Sequence, residues 1–304
     1  MQNRRAFLKQ SGIAGGLLLL GAIPLATLAK EELIKITILH TNDTQSQLEP
    51  FAANAPKLGG LGGIQARADR IQKIRSEESN VLLLDAGDIF QESPYFDIYK
   101  GEPEIMAMNL MQYDAACVGE HDFDGGIDNL SQQIAKANFS FLCANYDFSN
   151  TSLFGKILPY KIIVKSGIRF GIMGIGIRLK GLVAEEISNA ITYNDPIVKA
   201  NETARYLKKK KHCDFIICLS HLGLSDNNYN NINDKILAKE SENIDLIIGG
   251  HSHTLLQKPL KYFNKEKKEV LIVQAGWGGA NLGRINYAFP AKKIFYPPMP
   301  KLWN

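Results

Sequence analysis

Leu246-Ile247-Ile248-Gly249-Gly250-His251-Ser252-His253 sets a short apolar run, two glycines and two histidines side by side. The apolar run reads as a buried strand, and the glycines let the chain turn sharply where that strand ends. His251 and His253 are one residue apart, so in an extended segment they would project to the same side and could serve two metals from one loop. Alone, such a histidine is most often a hydrogen-bonded structural residue. Recurrence gives the stretch its weight.

Four more apolar runs end in the same manner. Residues 33–39 lead into His40-Thr41-Asn42-Asp43-Thr44-Gln45, and residues 81–84 into Asp85-Ala86-Gly87-Asp88. Residues 115–118 lead into Gly119-Glu120-His121-Asp122-Phe123-Asp124, and residues 215–219 into Ser220-His221-Leu222-Gly223. The five clusters hold five of the six histidines, and the sixth, His212, stands beside four lysines and reads as surface. Further strand-like runs cover 162–165, 170–175, 270–273 and 284–288. Between the runs, residues 64–74, 104–111, 127–137, 197–209 and 234–240 space their apolar side chains by three and four, as amphipathic helices do. Alternating strands and helices predict an α/β layered domain. In such a sheet the five clusters gather at the carboxyl ends of the strands, where ligands bind.

The metal donors these clusters offer are Asp, Glu, His and Gln side chains, with no thiolate. That set suits Mn²⁺, Zn²⁺, Fe or Co better than a structural zinc site. Gly87, Gly119, Gly249 and Gly250 are expected to make the turns. No Cys-x-x-Cys pair occurs, which argues against zinc-thiolate or redox chemistry. Cys117, Cys143 and Cys218 sit in apolar runs and Cys213 just precedes one, so all four are expected as buried free thiols.

Composition excludes several classes. Over 304 residues, 45% hydrophobic and 22% charged rule out disorder, a collagen-like repeat and a disulfide scaffold. The formal net charge of +4 belongs to the N-terminus: residues 1–29 hold Arg4, Arg5 and Lys9 and no acid. Without those three, 32 of the 35 basic residues remain against 31 acidic ones. A body so near neutrality has no broad basic face for nucleic acid or an anionic membrane surface. The lysines at 208–211 are expected to close a helix, and those at 265–268 to lie in a turn between strands.

Residues 1–29 read as an export signal: a basic start, a glycine-interrupted apolar stretch over 13–28, and small residues Thr27 and Ala29 before cleavage. Arg4-Arg5-Ala6-Phe7-Leu8-Lys9 resembles a twin-arginine signal, a receptor-read address that carries folded proteins to the periplasm or another extracytoplasmic space. The competing reading, a permanent membrane helix, suits the short, glycine-rich stretch less well. Residues 30–304 show no internal repeat and no Pro/Ser-rich linker, so they are expected to form one domain.

Taken in order, the five clusters resemble the motifs of the 5′-nucleotidase family of metallophosphoesterases, within the calcineurin-like phosphoesterase superfamily. The resemblance runs from about Ile36 to Asn281. It implies a four-layer αββα sandwich with two divalent metal ions between the loops. Carried over, Asp43, Gln45, Asp88 and His253 would hold one metal, and Asp88, Glu120, His221 and His251 the other, with Asp88 bridging. The catalytic pair would be His121 and Asp124. The implied reaction is in-line attack of metal-bound hydroxide on a phosphate ester, foremost a nucleotide.

Three departures bear on that reading. The family usually has His where this chain has Gln45, a weaker ligand, and Asn where it has Glu120. A carboxylate at 120 only accepts hydrogen bonds and repels phosphate oxygens, so the metal gains and the substrate loses. Many relatives also carry a C-terminal nucleotide-binding domain, and this sequence reaches Asn304 without one. A separate chain could supply it, or loops of this domain could supply the specificity. Two alternatives stay open at this point: a non-catalytic metal- or ligand-binding subunit weakened by Gln45 and Glu120, and an enzyme related to the thiosulfohydrolases.

Overall fold

The computed structural model describes residues 33–91, 93–225 and 232–291. The export signal expected over 1–29 lies outside the described residues. Among these described residues, thirteen strands and seven α-helices form. The strands begin with β1 Leu33–Thr41, β2 Val81–Asp85, β3 Ala115–Cys117, β4 Ser140–Leu142 and β5 Tyr146–Asp147. They continue with β6 Tyr160–Lys165, β7 Ile168–Ile175, β8 Thr192–Tyr193 and β9 Phe215–Ser220. The last four are β10 Leu246–Gly249, β11 Leu260–Phe263, β12 Glu269–Val273 and β13 Gly283–Pro290. The helices are α1 Ile64–Glu77, α2 Pro94–Tyr99, α3 Glu102–Leu110, α4 Ile127–Lys136, α5 Glu185–Ala190, α6 Pro196–Lys209 and α7 Asp234–Glu240.

Two sheets result. One has the order β13-β1-β2-β3-β4 and the other β11-β12-β10-β9-β7-β6, with β5 and β8 forming a small ribbon. Strands β1 to β4 are parallel, and so are β7, β9, β10 and β12. Edge strands β13, β6 and β11 run antiparallel to their neighbours.

The alternation of side chains along each strand sets the layers. Ile36, Ile38, Leu82 and Leu84 face inward, against Phe215, Ile217, Leu219, Leu246 and Ile248 of the second sheet. The intervening Leu39 and Leu83 face the other way, onto Ile71, Ile105, Met108 and Leu130 of α1, α3 and α4. On the far side, Ile216, Cys218 and Ile247 meet Ala200, Ala204, Leu207 and Leu237 of α6 and α7. Helix, sheet, sheet, helix is thus the four-layer αββα sandwich expected from the resemblance, and both faces of each sheet are apolar because both are covered.

All five expected helices form, each within three residues of its expected ends. The short strands β4, β5, β8 and β11 and the short helices α2 and α5 have no counterpart among the expected elements; they are two to six residues long, too short to show a period. All four cysteines are buried and free. Lys208 and Lys209 close α6, and residues 265–268 are exposed in the turn between β11 and β12. Among the described residues, no helix is long and apolar enough to cross a membrane.

Ile217 lies fully buried between the two sheets. Ile217→Ala is expected to cost about 2–5 kcal/mol of unfolding free energy through lost burial and an unfilled cavity. A chemical-denaturation midpoint indistinguishable from that of the parent chain would contradict this packing.

Candidate metal centre

Parallel strands β1, β2, β3, β9 and β10 end at one edge of the sandwich, and the polar clusters that follow them converge there. Asp43, Asp88 and His221 are at most 1% exposed, and Glu120 is 5% exposed. Nε2 of His221 stands 3.0 Å from Asp88 Oδ2, 3.1 Å from Glu120 Oε2 and 3.7 Å from Asp43 Oδ1. On the other side of the ring, Nδ1 is 2.6 Å from the Ala86 carbonyl oxygen, which can only accept. Against the opposing effect of burial, the Asp88 and Glu120 carboxylates raise this imidazole well above its ordinary range, and in its neutral form, with the proton on Nδ1, it would turn the Nε2 lone pair toward them.

Asp88 Oδ2, Glu120 Oε2 and His221 Nε2 are all buried, and none has a hydrogen-bond partner of acceptable geometry. Two carboxylate oxygens and an imidazole nitrogen converging in a dry pocket suit a cation, which a metal ion or the imidazole's own proton can supply. Ligand atoms of three overlapping groups fall within 4.8 Å of one another: Glu120, His221 and His251; Asp43, Asp88 and His221; Asp88, Glu120 and His121. Oxygen and imidazole donors of this kind fit a divalent metal.

The other candidate residues stand around this core. His251 Nδ1 is 2.6 Å from Glu120 Oε1, and the His251 backbone N–H donates to Asp43 Oδ1 at 2.9 Å. His253 belongs to none of the three groups; its Nε2 lies 3.5 Å from Asp43 Oδ1 and 3.1 Å from the Gln45 side-chain amide. His121 Nδ1 lies 3.1 Å from Asp124 Oδ2, and its Nε2 is 3.5 Å from the Gln91 amide. The His121 backbone N–H donates to Asp88 Oδ1 at 2.8 Å, which ties this pair to the cluster.

Two expectations are corrected here. The loop after β10 is not extended: His251 and His253 have φ of 65° and 51° and face different partners, His251 toward Glu120 and His253 toward Asp43 and Gln45. Of the four glycines expected to make turns, only Gly87 has a positive φ, at 92°. Gly119, Gly249 and Gly250 serve close approach instead. A Cβ on Gly119 would collide with the Asp88 carboxylate and His221 Nε2, one on Gly249 with the Asp234 carboxylate, and one on Gly250 with the His221 ring and the Ala86 carbonyl. The sharp bends fall on candidate ligands: Asp43, Gln45 and Asp88 have φ of 49°, 48° and 56°. Non-glycine residues rarely adopt this region unless their surroundings hold them there.

Those surroundings include residues whose part the sequence pattern does not reveal. The Asp122 carboxylate accepts from the backbone N–H groups of Asp88, Ile89, Phe90 and Gly119, at 2.8–3.2 Å, and so fixes the turns after β2 and β3 together. Gln274 donates to the Gly250 carbonyl and accepts from Ser252 and Thr254, clamping the histidine loop. Asn42 donates to the Gly276 carbonyl and accepts from the Ala275 N–H. Asp234, reached by the Ser220 hydroxyl at 2.5 Å, backs the loop after β9. Gln274-Ala275-Gly276 after β12 had a legible signal, since it is a sixth polar, glycine-bearing turn at a strand's end.

Charge follows burial and contact. Burial pushes the Asp43 carboxyl well above its ordinary range, with His221 pulling it back and Asp88 adding to the rise. Burial would also raise Glu120, but His221 and His251 outweigh it and hold the group well below that range. The hydrogen bond to Asp124 raises His121 to about 9, so this imidazole is protonated at neutral pH.

Residues 36–255 match the family model for calcineurin-like phosphoesterases. The chain belongs to that family. It is 31% identical to human 5′-nucleotidase over 276 residues, which is 84% of this chain and 46% of that protein. It is also 31% identical to a snake venom 5′-nucleotidase of Crotalus adamanteus over 278 residues, covering 85% and 46%. The crystal structure of a 5′-nucleotidase precursor from Thermus thermophilus superposes with a TM-score of 0.76 at 32% identity, covering 85% of this chain and 52% of that one. The chain thus spans about half the length of the curated relatives it matches.

The close approach at Gly119 makes a direct prediction. Manganese at a hundred times its dissociation constant is expected to stabilise the parent chain by about 2.7 kcal/mol. Gly119→Ala is expected to lose most of that shift in a thermal-melt titration, because its Cβ occupies the space between Asp88 and His221. A full shift in the variant would contradict the packing described here.

Proposed function

We propose that this chain is an exported, dinuclear, metal-dependent phosphoesterase that hydrolyses nucleotides. The observation that carries the reading is the convergence of buried, unpartnered Asp88 Oδ2, Glu120 Oε2 and His221 Nε2 beside the His121–Asp124 pair. Under this reading Asp43, Gln45, Asp88 and His253 hold one ion, and Asp88, Glu120, His221 and His251 the other. When bound, two divalent ions polarise the phosphoryl oxygens and acidify the attacking water.

The chain's own groups do the rest. Asp124 accepts from His121 Nδ1–H and fixes the ring, leaving the Nε2–H of a protonated imidazole to donate to a phosphoryl oxygen or to the leaving oxygen. The Gln91 amide stands 3.5 Å from that nitrogen. Asp122, through its four backbone contacts, holds Asp88 and the His121 turn in register.

Glu120 sets the rate. Three carboxylates, Asp43, Asp88 and Glu120, offset more of the metals' charge than two would, and they weaken the pull on a phosphate dianion. A nucleotide as substrate is supported by the 5′-nucleotidases among the relatives, whose further half could be matched by a separate chain. Export is supported by the Arg4-Arg5 signal pattern.

Three measurements test the reading. Phosphate release from a nucleotide panel is expected to fall by about 10²–10⁴-fold in His121→Ala, the usual worth of a positioned proton donor; equal rates would remove His121 from the chemistry. Glu120→Asn is expected to raise turnover, and a slower variant would show that the carboxylate assists instead. Replacing Arg4 and Arg5 together by Lys is expected to keep the protein in the cytoplasm, and undiminished export would reject the twin-arginine route.

A further inference from the structure

The loop after β12 opens at the same edge as the five clusters, because β12 runs parallel to β10. Its sequence, Gln274-Ala275-Gly276-Trp277-Gly278-Gly279-Ala280-Asn281, sets one tryptophan among three glycines with φ of 83°, 61° and 60°. Both sides of the tryptophan are fastened to the metal-site loop. Asn42 pairs with Ala275 and Gly276, and the Gly278 N–H donates to the Asp43 carbonyl at 2.7 Å.

Trp277 is therefore held in place, yet the residue remains 37% exposed. It stacks on the His253 imidazole with centroids 5.7 Å apart and planes at 15°, and it meets Phe51 edge-to-face at 5.1 Å. His253 Nε2 is in turn 3.5 Å from Asp43 Oδ1. An anchored aromatic surface thus stands one ring away from the carboxylate cluster. Leaving so large an apolar side chain partly in water forfeits burial that a smaller residue would not lose. Packing His253 alone does not require an indole.

We propose that Trp277, supported by Phe51, is a specificity-determining residue of this domain: an aromatic wall that receives the planar heterocyclic base of a nucleotide whose phosphate lies at the metal centre. The inference rests on the phosphoesterase reading above and assigns the choice of leaving group to this chain's own loop. Every base has a π-face, so such a wall separates nucleotides from sugar phosphates without choosing among bases. Loss of the stack is expected to weaken aromatic ligands roughly tenfold or more.

The chain has two tryptophans, so Trp303→Phe leaves Trp277 as the one indole reporter. In that full-length, manganese-loaded variant, adenosine is expected to quench the emission saturably, and ribose 5-phosphate is not. Adding Trp277→Leu is expected to lower kcat/KM for adenosine 5′-monophosphate relative to ribose 5-phosphate about tenfold, through KM, with Trp277→Phe restoring most of it. Absence of quenching by adenosine would overturn the wall. So would an equal loss on both esters accompanied by loss of metal, which would make Trp277 a packing partner of His253. If neither ester is hydrolysed, the phosphoesterase reading fails, and the adenosine titration still decides the wall on its own.

Discussion

Three carboxylates, those of Asp43, Asp88 and Glu120, are buried within 4 Å of a single imidazole nitrogen. Burying unpaired charge is costly, so a fold that does this must supply compensation or hold the groups for a cation. Much of the local structure follows from that constraint. The Ala86 carbonyl fixes the His221 tautomer, Asp122 gathers the backbone of two turns, and three glycines keep Cβ atoms out of the space where the charged groups meet.

The sandwich makes this arrangement possible. Parallel strands from two sheets end at one edge, so residues far apart in sequence arrive together without long loops. Asp43, Gln45, Asp88, His251 and His253 then take left-handed backbone conformations, each costing of order ~1–3 kcal/mol. Hydrogen bonds from Asn42, Asp122 and Gln274 hold the chain there, and the dry apolar core behind them gives those bonds a rigid base. In this account strain is concentrated on the proposed ligands and resisted by their neighbours.

The layers were legible because β2, β9 and β10 carry apolar side chains on both faces, and because α1, α4 and α6 are long enough to show their period. The clustering of Asp43, Asp88, Glu120, His221 and His251 could be read as well, since each follows an apolar run. Backbone detail could not. One residue between His251 and His253 suggested a shared direction, but direction depends on φ, and hydrogen bonds across the site set φ here. Gly119 and Gly250 looked like turn residues because glycine serves turns and close contacts alike, and only the neighbours tell the two apart. Asp122 gives no such signal, because its partners are backbone N–H groups, which carry no residue identity.

We propose that the edge of this sandwich holds two divalent ions. Elemental mass spectrometry on the purified full-length chain, after manganese loading and removal of free metal, tests it most directly. Two ions per chain are expected in the parent protein, and fewer when His221 and His251 are both replaced by alanine. Absence of bound metal in the parent, or a stoichiometry unchanged by that double replacement, would contradict it.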